Sequence, residues 1–250
     1  MNIATKIIPA PKLSDQVLKD MCDYRLGRLR KSMAEKNVSL SILVNPVSLR
    51  YAIDFDEFQL FQSHVPTCYL FVPAEGPLVM HGATRRNFPN VSEYRRPYFI
   101  SPFDSGFDLN NSAKLFTEEV DSFMKEYCHN NSIAIERITP LVTQSLQNLG
   151  YQISDAECLL EKAKVIKCET EIECIKHTIA IAEYGMKLMQ ENTFAGLTER
   201  QLWSILHQVN IANNGSWIEG HMLSSGPRTN PWLQEASERV IETGDMVALD

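Results

Sequence analysis

Between Thr170 and Met189 the chain carries the feature that most restricts its fold. Ile172, Ile175, Ile179, Ala182, Met186 and Met189 recur every three or four residues. That spacing matches the 3.6-residue turn of an α-helix and predicts a long amphipathic helix with this stripe as its buried face. Thr170 and Glu173 stand in the order of a capping box, in which the hydroxyl and the carboxylate satisfy free backbone N–H groups at a helix start. Gly196 then interrupts the chain. Thr198 and Gln201 form a second box, and Leu202, Ile205, Leu206 and Val209 make the stripe of a second helix that Asn213-Asn214-Gly215 stops. After the two helices come a short apolar pair, Met222-Leu223, a loop at Ser224-Ser225-Gly226-Pro227, and an apolar strand, Met246–Leu249, that ends on Asp250.

Upstream of residue 160 the rhythm alternates. Leu26, Leu29 and Met33 predict a helix that ends near Lys36. The apolar run from Leu40 to Val44 predicts a strand that stops at a turn signal, Asn45-Pro46. Cys68 to Val72 and Leu78 to Met80, joined through Glu75-Gly76, predict a hairpin. Tyr98 to Ile100 and Ser132 to Ile135 read as further strands. Ala113 to Tyr127 and Pro140 to Leu149 read as helices, the second closed by Gly150. This mixture predicts an α/β layered domain over residues 1–160, and residues 161–250 form a second region.

Composition narrows the function classes. The net charge is −7 and there is no long basic run, so a nucleic-acid groove, which needs clustered Lys and Arg, is not expected. No stretch approaches the length of a membrane span and the N-terminus lacks the apolar core of a secretory signal. Cys22, Cys68, Cys128, Cys158, Cys168 and Cys174 include no C-x-x-C pair, which fits reduced thiols in a cytoplasmic protein.

No phosphate-binding glycine loop, HExxH helix or nucleophile-elbow serine is present, and no two of the six histidines share a helical ligand spacing. Asp250 draws interest on physical grounds. It follows four apolar residues expected to be buried, so its carboxylate would emerge at a strand end and need compensation by a cation, donors or a metal. On spacing alone, an Asp that caps a following turn explains it as well.

Three segments together carry a resemblance. Ala163-Lys164-Val165-Ile166-Lys167-Cys168-Glu169-Thr170-Glu171-Ile172, then Gly196-Leu197-Thr198-Glu199, then Gly244-Asp245-Met246-Val247-Ala248-Leu249-Asp250 resemble in order and spacing the creatinase/prolidase/aminopeptidase P superfamily. In that superfamily an Ile-Lys-x-x-x-Glu-Ile segment opens the catalytic domain, and a Gly-x-Thr-Glu turn starts its second helix. A Gly-Asp-x-Val-x-x-Asp strand delivers the first metal ligand. The first half is similar to the family's N-terminal domain, including Asn45-Pro46 before Leu49-Arg50-Tyr51. The fold so implied is a creatinase-type α/β N-terminal domain followed by the beginning of a pita-bread (α+β) catalytic domain. The implied metal centre uses two Asp, one His and two Glu, of which only Asp250 falls within this chain. The sequence is therefore expected to be a C-terminally truncated piece, with the other ligands and the catalytic base beyond residue 250, and to be inactive by itself.

One departure redirects the chemistry. Peptidases of this superfamily carry a Pro-His pair in the loop before that strand, whereas here the loop reads Ser224-Ser225-Gly226-Pro227-Arg228-Thr229-Asn230-Pro231-Trp232. Trp232 stands where the histidine would be, and an indole cannot shuttle a proton. The loop is instead similar to that of DddP-type dimethylsulfoniopropionate lyases of the same superfamily, which form dimethyl sulfide and acrylate by β-elimination. That branch implies a divalent metal, iron first, with manganese, cobalt or zinc also compatible with oxygen ligands. It also implies a small-molecule substrate and a homodimer. Trp232 is the candidate wall for the sulfonium cation, since an aromatic face attracts positive charge; packing beneath the loop is the competing role. Arg228 reads as a surface arginine. An Xaa-Pro peptidase with an unusual loop, and a non-catalytic binding relative of the same fold, are the alternative functions.

Overall fold

The structure, a computed structural model, describes residues 5–98 and 101–250. Two compact units make up the chain, and the division falls at Cys168/Glu169. The larger unit, Leu13–Cys168, contains α1 (Asp15–Glu35), β1 (Leu40–Leu43), α2 (Pro46–Ile53), α3 (Gln59–His64), β2 (Tyr69–Pro73), β3 (Leu78–His81) and β4 (Val91–Arg95). It continues with α4 (Pro102–Ser105), α5 (Leu109–Tyr127), β5 (Ser132–Ile135), α6 (Pro140–Asn148), β6 (Gln152–Asp155) and α7 (Glu157–Lys164).

The six strands form one sheet in the order β4-β3-β2-β1-β5-β6. β1, β5 and β6 run parallel, β2 runs against both β1 and β3, and β4 is parallel to β3. Side chains alternate between the two faces of a strand, and here both faces are buried. Leu43, Leu70, Val72 and Met80 meet Leu29 and Met33 of α1, Leu49 of α2 and Leu159 of α7. Leu40, Ile42, Phe71 and Val79 meet Phe116, Val120 and Phe123 of α5 and Leu146 of α6. Burial on both sides is why the central strands read as unbroken apolar runs rather than alternating ones.

The smaller unit comprises residues 5–12 and Glu169–Asp250. It holds α8 (Glu169–Glu191), α9 (Glu199–Ala212), β7 (Leu223–Ser225), a single 3₁₀ turn (Gly226–Thr229) and β8 (Val247–Leu249). The N-terminal segment is tied in by Lys6 N donating to Tyr184 Oη at 2.9 Å and Ile8 N donating to Asn213 Oδ1 at 2.7 Å. α8 and α9 pack closely at Gly185, where a Cβ would come within 2.5 Å of Leu206 Cδ1. Met189, Leu197, Leu202, Trp203, Ile205, Leu223 and Ile241 form the core of this unit. The capping box at the start of α9 is complete: Gln201 N donates to Thr198 Oγ1 at 3.1 Å and Thr198 N to Gln201 Oε1 at 2.9 Å.

Several expectations shift. The boundary expected near residue 160 lies beyond α7, because that helix packs on α1 and Leu159, Leu160 and Ala163 are buried in the core of the larger unit. Asn45-Pro46 does not end in a simple turn; Asn45 Oδ1 accepts from Val47 N at 3.0 Å and Pro46 opens α2. Thr170 lies inside the first turn of α8 rather than at its cap. The strand expected at Tyr98–Ile100 extends onto residues 99 and 100, outside the described residues; Tyr98 itself is in no strand, and the edge strand is Val91–Arg95. On α8 the expected buried stripe is largely exposed: Ile172, Ile175, Ile179, Ala182 and Met186 face outward, and burial falls on Glu171, Gly185 and Met189. α9 covers the Gly185 face of the helix, and helical period alone does not say which face a neighbour takes.

Candidate functional site

Of the two residues singled out by the sequence, Trp232 lies on the path that leaves β7 and returns to β8, and Asp250 directly follows β8. The strands pair antiparallel, with Leu223 opposite Leu249, Ser224 opposite Ala248 and Ser225 opposite Val247. Leu223, Val247 and Leu249 share one face and pack on the core. The same alternation places Asp250 on the other face, with Ala248 and Ser224. A groove of about 710 Å³ between α8 and this sheet is lined by Met186, Met189, Leu202, Leu223, Val247 and Leu249. It therefore lies on the apolar face, away from the Asp250 position.

β8 is less buried than its sequence predicts. Met246 is 70% exposed, and Val247, Ala248 and Leu249 are half-buried, since β8 has only β7 as a sheet neighbour among the described residues. Asp250 is exposed; its N–H donates to Met222 O at 3.0 Å, and its carboxylate has no hydrogen bond or ion pair with the described residues. That leaves an uncommitted hard oxygen donor, which suits one position on a divalent cation. Among the described residues no three His, Cys, Asp or Glu side chains gather to complete such a centre.

Trp232 is 41% exposed on the loop that follows the 3₁₀ turn. The loop has few bonds of its own: Thr229 Oγ1 donates to Gly226 O at 2.8 Å and Gln234 Nε2 to Pro231 O at 2.9 Å. Its feet rest on a polar core that the sequence did not reveal. Glu199, the first residue of α9, is fully buried. Its Oε1 accepts from Ser225 N at 2.7 Å and Ser225 Oγ at 2.8 Å. Its Oε2 accepts from Ser237 N at 2.9 Å, from Ser237 Oγ at 2.6 Å and from the Arg228 guanidinium. Burial pushes this carboxyl up, but the hydrogen bonds from Ser237 and Ser225 outweigh it and hold the group at about 2. Arg228 is thus an ion-pair partner of a buried carboxylate rather than a plain surface arginine.

A second pair braces the approach to β8. Arg239 Nη1 donates to Asp245 Oδ2 at 2.6 Å and to Ser225 Oγ at 2.7 Å, while Asp245 Oδ2 accepts from Glu242 N at 2.8 Å. Gly226 lies over this pair with φ +51°, and a Cβ there would fall 2.4 Å from Asp245 Oδ1, so only glycine fits. Of the two acids in Gly244-Asp245-x-Val-x-x-Asp250, Asp245 is committed to structure and Asp250 is free for a ligand. The signal for Glu199 was present as the acid of the Gly-x-Thr-Glu turn. What the sequence lacks is any sign that Ser225, Arg228 and Ser237, all more than twenty residues later, converge on it.

Comparison with known proteins gives a consistent picture. The family model for the Creatinase/Prolidase N-terminal domain matches residues 25–166. The chain is 31% identical over 244 residues to the dimethylsulfoniopropionate lyase DddP of Roseovarius nubinhibens, an alignment covering 93% of this chain and 55% of that protein. It is 30% identical to the protein of the same name from Roseobacter denitrificans, with the same coverage. The chain thus spans about half the length of the curated relatives it matches. Among solved structures it resembles the Xaa-Pro dipeptidase from Bacillus anthracis, with a TM-score of 0.63 at 18% identity over 90% of this chain and 59% of the other. The X-Pro aminopeptidase from Thermotoga maritima gives a TM-score of 0.64 at 18% identity, covering 89% and 59%. Identities this low speak for the fold alone.

Proposed function

Because the chain belongs to the family of the creatinase/prolidase N-terminal domain, we propose that it is part of a metal-dependent lyase that cleaves dimethylsulfoniopropionate to dimethyl sulfide and acrylate. The observation that carries this reading is Trp232, an exposed indole on an anchored loop, in a chain whose matched curated relatives are named as lyases of this substrate. In the elimination a base, expected outside this chain, takes the proton α to the substrate carboxylate as the C–S bond breaks. The electron pair of the C–H bond becomes the acrylate double bond and that of the C–S bond leaves on dimethyl sulfide. Trp232 offers its ring face to the sulfonium, a contact worth up to about 2 kcal/mol when desolvated. Asp250 would hold the divalent metal, for which iron is the first choice. Held there, a divalent ion would supply Lewis-acid stabilisation of the negative charge that develops beside the carboxylate. On the same reading the working protein is a homodimer acting on a small molecule in the cytoplasm.

Xaa-Pro peptide hydrolysis is the second reading, supported by the peptidase folds among the solved neighbours. Trp232 weighs against it, since an indole, a hydrogen-bond donor only, cannot shuttle a proton to a leaving amine. The test uses a protein that carries this sequence and spans the whole length of the curated relatives. It is loaded with ferrous iron and given dimethylsulfoniopropionate and an Xaa-Pro dipeptide in parallel. Dimethyl sulfide in the headspace with no dipeptide cleavage is expected. Dipeptide cleavage without dimethyl sulfide would establish the peptidase reading, and neither product would favour a non-catalytic relative.

A further inference from the structure

A loop that carries an exposed aromatic ring and few bonds of its own takes its position from its anchors. For the Trp232 loop, one side chain reaches both feet. Arg228 stands at the near foot; its Nη1 meets Glu199 and donates to Ser237 Oγ at 2.7 Å, and its Nη2 donates to Glu235 O at 2.9 Å on the far foot. The far foot is tied again where Ala236 N donates to His221 O at 2.8 Å, beside a bridge between Met222 and Glu235.

We propose that the Glu199–Arg228 ion pair is the clasp that sets where the Trp232 ring stands, and that Glu199 is a positioning residue of the candidate site. This rests on the reading of Trp232 as the wall for a cationic sulfonium group. The chemistry of the pair fits that role and no direct one. A carboxylate has about four lone-pair sites on its two oxygens, and Glu199 meets five donors: two from Ser225, two from Ser237 and one from Arg228. It has no capacity left for substrate and no exposure through which to reach it. Its negative charge neutralises the Arg228 guanidinium, so the pair brings no net charge to the foot of the loop. The clasp thus serves the aromatic wall by tying together the two feet of the loop that carries it.

The test reads the ring directly. The 250-residue chain is labelled with 5-fluorotryptophan, giving fluorine signals from Trp203, Trp217 and Trp232, and the Trp232 line is assigned by its loss in Trp232→Phe. In Glu199→Gln an amide would face donors with an NH₂ group, and the Trp232 line is expected to shift and roughly double in width as the loop samples more positions. Trp203, in the core of its unit, should keep its line. Arg228→Lys keeps the charge but loses the planar fork, and it should give the same change with less risk to folding. Either variant folded with an unmoved Trp232 line would overturn the proposal. So would collapse of all three lines in both variants, because the pair would then hold the whole unit rather than the loop. The readout needs no catalysis, so failure of the lyase reading in the headspace assay would leave this result standing, and the converse holds as well.

Discussion

The two units of this chain are held together by different physics. In Leu13–Cys168 the sheet is covered on both faces, and Phe71, Phe116, Phe123, Leu29 and Met33 are among the large side chains fully removed from water. It buries a carboxylate as well, at the edge of that core. Glu136 accepts from Val44 N and Asn45 N, each at 2.8 Å, and so fixes the step from β1 into α2. In Glu169–Asp250 the sheet has two strands, much of the apolar stripe of α8 is exposed, and the central contact is a buried carboxylate with five donors. The comparison teaches where the two regions are vulnerable: one to the loss of volume, the other to the loss of a charge or a hydrogen bond.

The largest effect is expected from the apolar side. Phe123→Ala removes a fully buried ring that meets Phe71 edge-on at 5.1 Å, and should cost about 4 kcal/mol of unfolding free energy in the larger unit, measured by urea unfolding. A loss below about 1 kcal/mol would mean that the sheet's second face is not the tight core described. Next comes Glu199→Ala, which removes the counter-ion of Arg228 and the acceptor of the Ser225 and Ser237 N–H and O–H groups; a cost of about 3 kcal/mol is expected in the smaller unit. If Glu199→Ala proved neutral, the distinction between the two regions would collapse.

Acid should act on both units, and Glu119 in the larger and Glu199 in the smaller are carboxyls held well below their usual range. Hydrogen bonding from His81, then from Arg95, outweighs burial and holds Glu119 at about 2, and Glu199 sits at about 2 for the reasons already given. Both lie below the usual 4.5, so the unfolded chain binds more protons between these values. The stability they contribute is complete above about 4.5 and is lost as the pH falls toward 2. Glu119→Gln and Glu199→Gln should each flatten the fall in stability over that window, measured by urea unfolding at a series of pH values. A slope unchanged in Glu199→Gln would show that the carboxylate does not titrate with the fold. The smallest effect is expected at Met186, 51% exposed on α8, where Met186→Ser should change the stability of this chain by no more than about 0.5 kcal/mol.

What could be read in the sequence follows the same division. β1, the β2–β3 hairpin, β5, α5 and α6 were legible because apolar runs and helical stripes report burial directly. β4 was missed because an edge strand with the sequence Val91-Ser-Glu-Tyr-Arg95 is mostly polar and takes its identity from pairing with β3. α2 was hidden because Asn45-Pro46 serves equally well as a turn and as a cap followed by a first helical residue. In the smaller unit the Thr198 capping box was legible because its partners are three residues apart. The Glu199 network was not, because Ser225, Arg228 and Ser237 reach it only through the folded chain. Trp232 and Asp250 were legible as positions in a motif, and their surroundings were not.

The site reading depends most on the ring at 232, and affinity for the cationic substrate tests it most directly. In a protein of the curated relatives' full length, the KM for dimethylsulfoniopropionate should rise roughly ten- to thirtyfold in Trp232→Ala, the loss of up to about 2 kcal/mol of cation–π attraction, and should largely recover in Trp232→Phe. A Trp232→Ala protein with the KM of the parent would contradict the assignment and return Trp232 to the role of a packing residue.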